Sequence, residues 1–270
     1  MPTVPIFQLD SFTDRAFHGN PAAVCVMEQF EADDLLQSIA LENNLSETAF
    51  VVPSGDDQAD YDLRWFTPAV EVDLCGHATL AAGQVVLTYL HPDWDSVRFK
   101  TASGIFELQR DGDRLVFDFP KLEAIRITTP PASLLSAFGQ IVEEVWQKDR
   151  DYLLVFKSAE DIADLKPDMV TLRQNAPFGF VCTAPGTGVT GEPDFVSRCF
   201  YPNHGIEEDP VTGSAHSLSA PYWAQRLNKT DLFAKQISAR GGDLWITVED
   251  ANITLSGSAV EVLKGEFMYG

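Results

Sequence analysis

Residues 64–84 read RWFTPAVEVDLCGHATLAAGQ. An alternating strand pattern runs to Pro68, an acid follows at Asp73, and Cys75-Gly76-His77 then open a stretch without charge that His91-Pro92 stops. This stretch predicts a helix over 75–90, with the proline marking its end. A helix with no charged face is buried all round. A helix that only fills a core has no need of cysteine, glycine and histidine at its first turn, where backbone N–H groups lack intrahelical partners.

The same plan returns later in the chain. Arg64-Trp65-Phe66-Thr67-Pro68 is matched by Arg198-Cys199-Phe200-Tyr201-Pro202, Asp73 by Asp209, and Cys75-Gly76-His77-Ala78 by Thr212-Gly213-Ser214-Ala215. The second helix runs to about Leu227, is uncharged until Arg226, and contains Pro221, which predicts a kink. Around the first copy, VPIFQLD, AAVCVM, ETAFVV, YDLRWFT, SVRFKTA, GIFELQR and RLVFDF read as strands, and EADDLLQSIALENN reads as an amphipathic helix with acids in its first turn. TTPPAS (128–133) punctuates a crossing linker. Buried helices among many short strands predict an α/β (α+β) chain of two pseudo-symmetric domains. In each, a curled, mostly antiparallel sheet wraps a central buried helix, and the active-site cleft is expected between the two. The halves are placed at 1–120 and 121–270, leaving open whether the last residues complete the first half.

Composition narrows the function. Nineteen basic against forty acidic residues give a formal charge of −21, with no basic cluster, so nucleic acid and anionic membrane surfaces are excluded as partners. The longest uncharged run, Leu74 to Leu90, is short for a membrane span and carries His77, Thr79, Gln84 and Thr88. MPTVPIFQLDSF lacks the basic and apolar regions of a signal peptide. Cys25, Cys75, Cys182 and Cys199 form no paired spacing, which fits a reducing cytoplasmic compartment. Cys25, Cys182 and Cys199 lie in apolar strand-like runs and read as buried thiols. Gly186 to Gly191 matches the dinucleotide fingerprint G-x-G-x-x-G, but leads into EPDFVSRCFYP, a strand pattern, and so reads as a hairpin loop. His18, His91, His204 and His216 show no metal-ligand spacing, and no metal is expected.

Two glycine-bearing helix starts, at Gly76 and Gly213, are ready sites for an anion. They explain how so acidic a protein would hold a small carboxylate, its expected ligand.

FHGNPAAV (17–24), LSETAFV (45–51), RWFTPAVEVDLCGHAT (64–79) and EEDPVTGSAHS (207–217) together resemble the phenazine-biosynthesis PhzF-like family, of the diaminopimelate-epimerase-like fold. The four motifs stand in the family's order and span the chain. The resemblance implies a cofactor-independent isomerase, in which a glutamate of the S-E-T-A-F motif removes a proton from carbon and returns it elsewhere. By position this is Glu47. It further implies site roles for His77 of the G-H pair and for Asp209 and Ser214 of D-P-V-T-G-S, a place for Asn20 in the cleft, and a homodimer. Diaminopimelate epimerases carry a catalytic cysteine in a C-G setting like that of Cys75-Gly76. The matching position in the second copy is Thr212, which disfavours a two-thiol epimerase and leaves a Cys75/Glu47 racemase or epimerase as one alternative. A non-catalytic binding member of the family is the other.

Each residue also has a plainer reading. Glu47 starts an apolar strand; in a dry cleft a carboxylate becomes more basic. The helix dipole at His77 favours a neutral ring. Asp209 and Ser214 suit a helix start, Asn20 before Pro21 suits a turn, and Cys75 suits a small buried thiol.

Overall fold

The structure, a computed structural model, describes residues 1–139, 141–149, 151–174 and 179–269. The chain forms two compact units, Met1–Asp118 with Ser256–Gly270, and Phe119–Leu255.

The first unit comprises β1 (Thr3–Ser11), β2 (Asn20–Val26), α1 (Asp33–Asn43), β3 (Glu47–Pro53), β4 (Tyr61–Phe66), β5 (Glu71–Val72), α2 (Gly76–Val85), β6 (Ser96–Thr101), β7 (Gly104–Asp111) and β8 (Arg114–Pro120). The C-terminal strand, Ala259–Met268, pairs antiparallel with β1. From there β1–β2 is antiparallel, β2–β3 parallel, β3–β4 antiparallel, β4–β6 parallel, and β6–β7–β8 a meander. Strand side chains alternate between faces. Val4, Ile6, Ala23, Cys25, Phe50, Val52 and Phe66 meet Leu36, Ile39 and Ala40 of α1 on one face. The alternate residues, among them Ala22, Val24, Ala49 and Val51, point to the face on which α2 packs against β1, β2 and β3. All of α2 except Gln84 is buried, as its lack of charge requires. A wider final turn, Val86–Leu90, extends it to His91, whose N–H bonds back to the Val86 carbonyl.

The second unit repeats this topology. Its elements are β9 (Ile125–Arg126), α3 (Ala132–Ala137), β10 (Glu144–Lys148), β11 (Asp151–Val155), α4 (Ala159–Ala163), α5 (Met169–Gln174), β12 (Gly179–Pro185), β13 (Phe195–Tyr201), β14 (Ile206–Asp209), α6 (His216–Leu227), β15 (Asp231–Gln236), β16 (Gly242–Val248) and β17 (Asn252–Gly257). β10–β11 is antiparallel, β11–β12 parallel, β12–β13 antiparallel, β13–β15 parallel and β15–β16 antiparallel, strand for strand as in the first unit. The repeated arginines do the same work. Arg64 forks onto Glu71 at 2.7 Å through both nitrogens and stacks on Phe66. Arg198 forks onto Glu208 at 2.7 and 2.8 Å and stacks on Phe200. Such planar, two-point pairs fix strand geometry as well as charge.

Three expectations change. Residues 213–215 form a turn and α6 begins at His216, because the His216 and Ser217 N–H groups bond three residues back, to Gly213 and Ser214. Nor is α6 buried all round: Gln225, Arg226 and Leu227 are exposed, and Arg226 pairs with Glu144. The register also shifts one pairing. Trp65 lies opposite Val72 and Cys199 opposite Asp209, so Asp209 stands where the first unit has Val72, not Asp73. The glycine-rich run 186–191 lies in the loop joining the antiparallel pair β12 and β13.

Candidate active site

In the first unit three candidate residues converge on the imidazole of a fourth. Glu47 is the first residue of β3, paired with Ala22, and its side chain takes the α2 face because Ala49 and Val51 do. Asn20 opens β2 opposite Ser11. The chain enters through Gly19 at φ +64°, where an added Cβ would lie 2.2 Å from the Ser11 carbonyl oxygen; only glycine fits there. Cys75 is the extended N-cap residue of α2, and Gly76 and His77 begin the helix. The Thr79 hydroxyl donates to the Cys75 carbonyl at 2.6 Å, and the Ser11 hydroxyl to the His77 carbonyl at 2.7 Å, which seats the helix start on the sheet.

His77 Nε2 lies 3.0 Å from Glu47 Oε2. On the other side of the ring, Nδ1 lies 3.2 Å from Asn20 Nδ2 and 3.5 Å from Cys75 Sγ. Glu47 is 8% exposed, Cys75 6%, His77 5% and Asn20 fully buried. Unprotonated, Nδ1 accepts from the Asn20 amide and the thiol. Protonated, it donates to the sulfur, or to the amide oxygen once that amide turns over.

The charges around the ring overturn the neutral histidine expected from the helix dipole. Burial favours the neutral form, but Cys75 and Glu47 outweigh it and hold the ring well above 6.5. At neutral pH the charge concerned is that of Glu47. Burial, with the Glu47 charge adding to it, pushes the Cys75 thiol up to about 11. Cys75 therefore rests as a thiol, not as the activated thiolate that a helix N-terminus alone would favour. Burial likewise pushes Cys25 up to about 12, and Cys182 and Cys199 well above the usual thiol value. All four cysteines are free.

The second unit's candidates form a separate network. Asp209, at the end of β14, accepts a hydrogen bond from the Thr212 hydroxyl rather than capping α6. Sequence reasoning missed the residue that holds this pair. Gln236, wholly buried at the end of β15, accepts from the Thr212 N–H at 2.9 Å and donates to the Asp209 carbonyl at 2.7 Å. No local signal marks it, because its partners are 24 and 27 residues away. His216, set aside for want of metal-ligand spacing, has a structural role instead. Its ring bonds the Thr212 carbonyl at 2.8 Å, as Thr79 bonds Cys75, and burial pushes it down to about 4. Gly213 is buried, and Ser214 is half-buried in the turn before α6.

The units differ where chemistry is at stake. Matching β3 to β12 and α2 to the segment before α6 sets Gly179, Thr212 and Ser214 against Glu47, Cys75 and His77. Among the described residues the first unit alone has the carboxylate–imidazole–thiol set. The atoms offered by Glu47, Cys75 and His77 all lie within 4.8 Å of one another, close enough for one metal ion.

Comparison with known proteins bears on the family and the fold. The family model described as phenazine biosynthesis-like protein matches residues 9–265. An uncharacterized isomerase of Pseudomonas aeruginosa is 49% identical over 263 residues, covering 96% of this chain and 97% of its own. The crystal structure of a PhzF-family phenazine biosynthesis protein from Enterococcus faecalis superposes with a TM-score of 0.92 at 40% identity, covering 99% of this chain and 100% of that one. A hydroxyproline epimerase from Agrobacterium vitis shares the fold, with a TM-score of 0.64 at 10% identity over 98% of this chain and 92% of that one. Among the described residues no helix is long and apolar enough to cross a membrane.

Proposed function

The chain belongs to the PhzF-like family, whose model it matches almost end to end, and from that premise we propose that it is a cofactor-independent isomerase moving a proton between carbons of a small carboxylic acid, with Glu47 as the shuttle. The observation that carries this reading is the buried Glu47–His77 contact at 3.0 Å, built from a strand and a helix of one unit. In the forward step the Glu47 carboxylate takes a proton from carbon, and the electron pair left behind delocalises as an enolate. Glu47 then returns the proton at a second carbon, so one C–H bond breaks, another forms and the double bond moves. A positioned carboxylate base of this kind typically contributes about 10²–10⁴ in rate.

His77 orients Glu47 through Nε2, and its positive charge lowers the energy of the developing anion. The first-turn N–H groups of α2, beginning at Gly76, have no intrahelical acceptors and suit the same negative charge. Asn20 and Cys75 fix the far side of the ring. Burial of the thiol, up to about 11, supports Glu47 over Cys75 as the resting base. Asp209, Gly213 and Ser214 keep, as a proposal, the substrate-orienting roles that the resemblance implies, and the homodimer is proposed on the same ground.

The test is solvent exchange by NMR in deuterated water, with a panel of small cyclic and linear carboxylic acids offered to wild type and Glu47→Gln. Deuterium is expected to enter a carbon position with wild type and not with the variant. Exchange by Glu47→Gln at the wild-type rate refutes the shuttle. Cys75→Ser is expected to retain exchange; its loss in that variant, with the fold intact, returns weight to the Cys75/Glu47 epimerase. Silence across the panel together with a stable macromolecular partner favours the binding-protein alternative.

A further inference from the structure

We propose that Glu47, Cys75 and His77 form a binding site for one thiophilic divalent cation of the Zn²⁺ class, and that the bound ion reversibly silences the proton-transfer groups. The binding half stands on the donor set alone; the silencing half rests on the shuttle reading above.

The donors are a carboxylate oxygen, an imidazole nitrogen and a sulfur, all within 4.8 Å of one another. Ligands of a tetrahedral zinc ion, at about 2.0–2.3 Å from the metal, sit roughly 3.5 Å apart. One donor pair is already at that spacing, Glu47 with Nε2 at 3.0 Å or Cys75 with Nδ1 at 3.5 Å, and the third donor lies within 4.8 Å. These two contacts engage opposite ring nitrogens, so an ion takes one of them. The result is a three-ligand site of the open kind, with the fourth position left to water. Mixed sulfur, nitrogen and oxygen donors select zinc-like ions over Mg²⁺ and Ca²⁺, which demand oxygen shells.

Charge balance favours the same ion. Cys75 enters as thiolate and gives its proton to solvent, and His77 enters as neutral imidazole after releasing any second ring proton to solvent. Thiolate and carboxylate then neutralise a doubly charged ion in a buried place, where uncompensated charge is costly. The pseudo-equivalent positions in the second unit, Gly179, Thr212 and Ser214, lack this donor set. Among the described residues no other group of three such donors is close enough, so one ion per chain is expected.

The experiment titrates the whole metal-free chain with Co²⁺, followed by thiolate-to-metal absorption, and with Zn²⁺ by calorimetry. Expected are one Zn²⁺ per chain, reversal by EDTA and a thiolate–Co²⁺ band. Cys75→Ser should abolish the band and weaken Zn²⁺ by at least about tenfold. Glu47→Gln should weaken both ions while keeping the band. Should circular dichroism show that Cys75→Ser is unfolded, His77→Gln takes its place, expected to weaken Zn²⁺ by at least about tenfold while keeping the band. Absence of the band in wild type, or Zn²⁺ affinity unchanged in every variant, overturns the site by assigning the ion to surface carboxylates. Proton exchange that persists at saturating Zn²⁺ overturns the silencing while leaving the site. A wild type that binds Zn²⁺ but exchanges no proton on any acid counts against the isomerase instead.

Discussion

Replacing Glu47 with Gln removes one carboxylate charge 3.0 Å from His77 Nε2, while keeping the side chain's length and an oxygen. Burial opposes charging of the ring, and in the wild type Cys75 and Glu47 outweigh it and hold His77 well above 6.5. Near neutral pH only Glu47 supplies charge, because burial keeps Cys75 a thiol up to about 11. The unfolded ring titrates near 6.5. Between that value and the higher folded one, the native state keeps a proton that the unfolded chain has released. Wild-type stability therefore falls as pH rises through this window, by at most about 1.4 kcal/mol per pH unit, or tenfold in the folding equilibrium. Below about 6.5 the contribution is present in full. In Glu47→Gln the carboxylate's contribution is gone and burial weighs more heavily, so the ring titrates lower and the stability lost above about 6.5 shrinks. Urea unfolding of both proteins between roughly pH 5.5 and 9 gives the difference, and imidazole NMR reports the ring directly. Parallel stability curves above pH 6.5, or a His77 ring already neutral at that pH in the wild type, would refute the electrostatic reasoning.

Gln236→Leu strips partners from the Thr212 N–H and the Asp209 carbonyl, so urea unfolding is expected to show a loss of about 1–3 kcal/mol. His216, pushed down to about 4 by burial, must charge on acid unfolding; its contribution is full above about 6.5 and declines by about 3 kcal/mol as the pH falls to 4. His216→Thr, which places at this position the residue of the first unit, should remove that part of the acid sensitivity, measured as a flatter stability curve below pH 6.5. With its thiol at about 11, Cys75 is on the order of one part in a thousand thiolate at pH 8, so mass spectrometry should find native alkylation slow and urea-unfolded alkylation fast.

Periodicity determined much of this protein. The charge-free stretch that opens at Gly76 reads as a buried helix, and it is buried through Leu87 apart from Gln84, with Thr88 and Tyr89 exposed at its end. The second copy of its flanking motif predicted a repeated topology, which both units carry strand for strand. Local chemistry also exposed Cys75, Gly76 and His77 together, since they share one helical turn. Gln236, by contrast, was invisible, and so was the exchange of Asp73 for Val72 as the partner of Asp209, because strand register is decided across the sheet and not along the chain. The state of His77 was likewise misread. A helix dipole is a local property, but the carboxylate that opposes it arrives from a strand thirty residues earlier in the chain. Identity, order and alternation are written in the sequence. The meeting of Glu47, His77, Cys75 and Asn20 on one buried face, with the charges and donor distances that follow, exists only once the strands have paired.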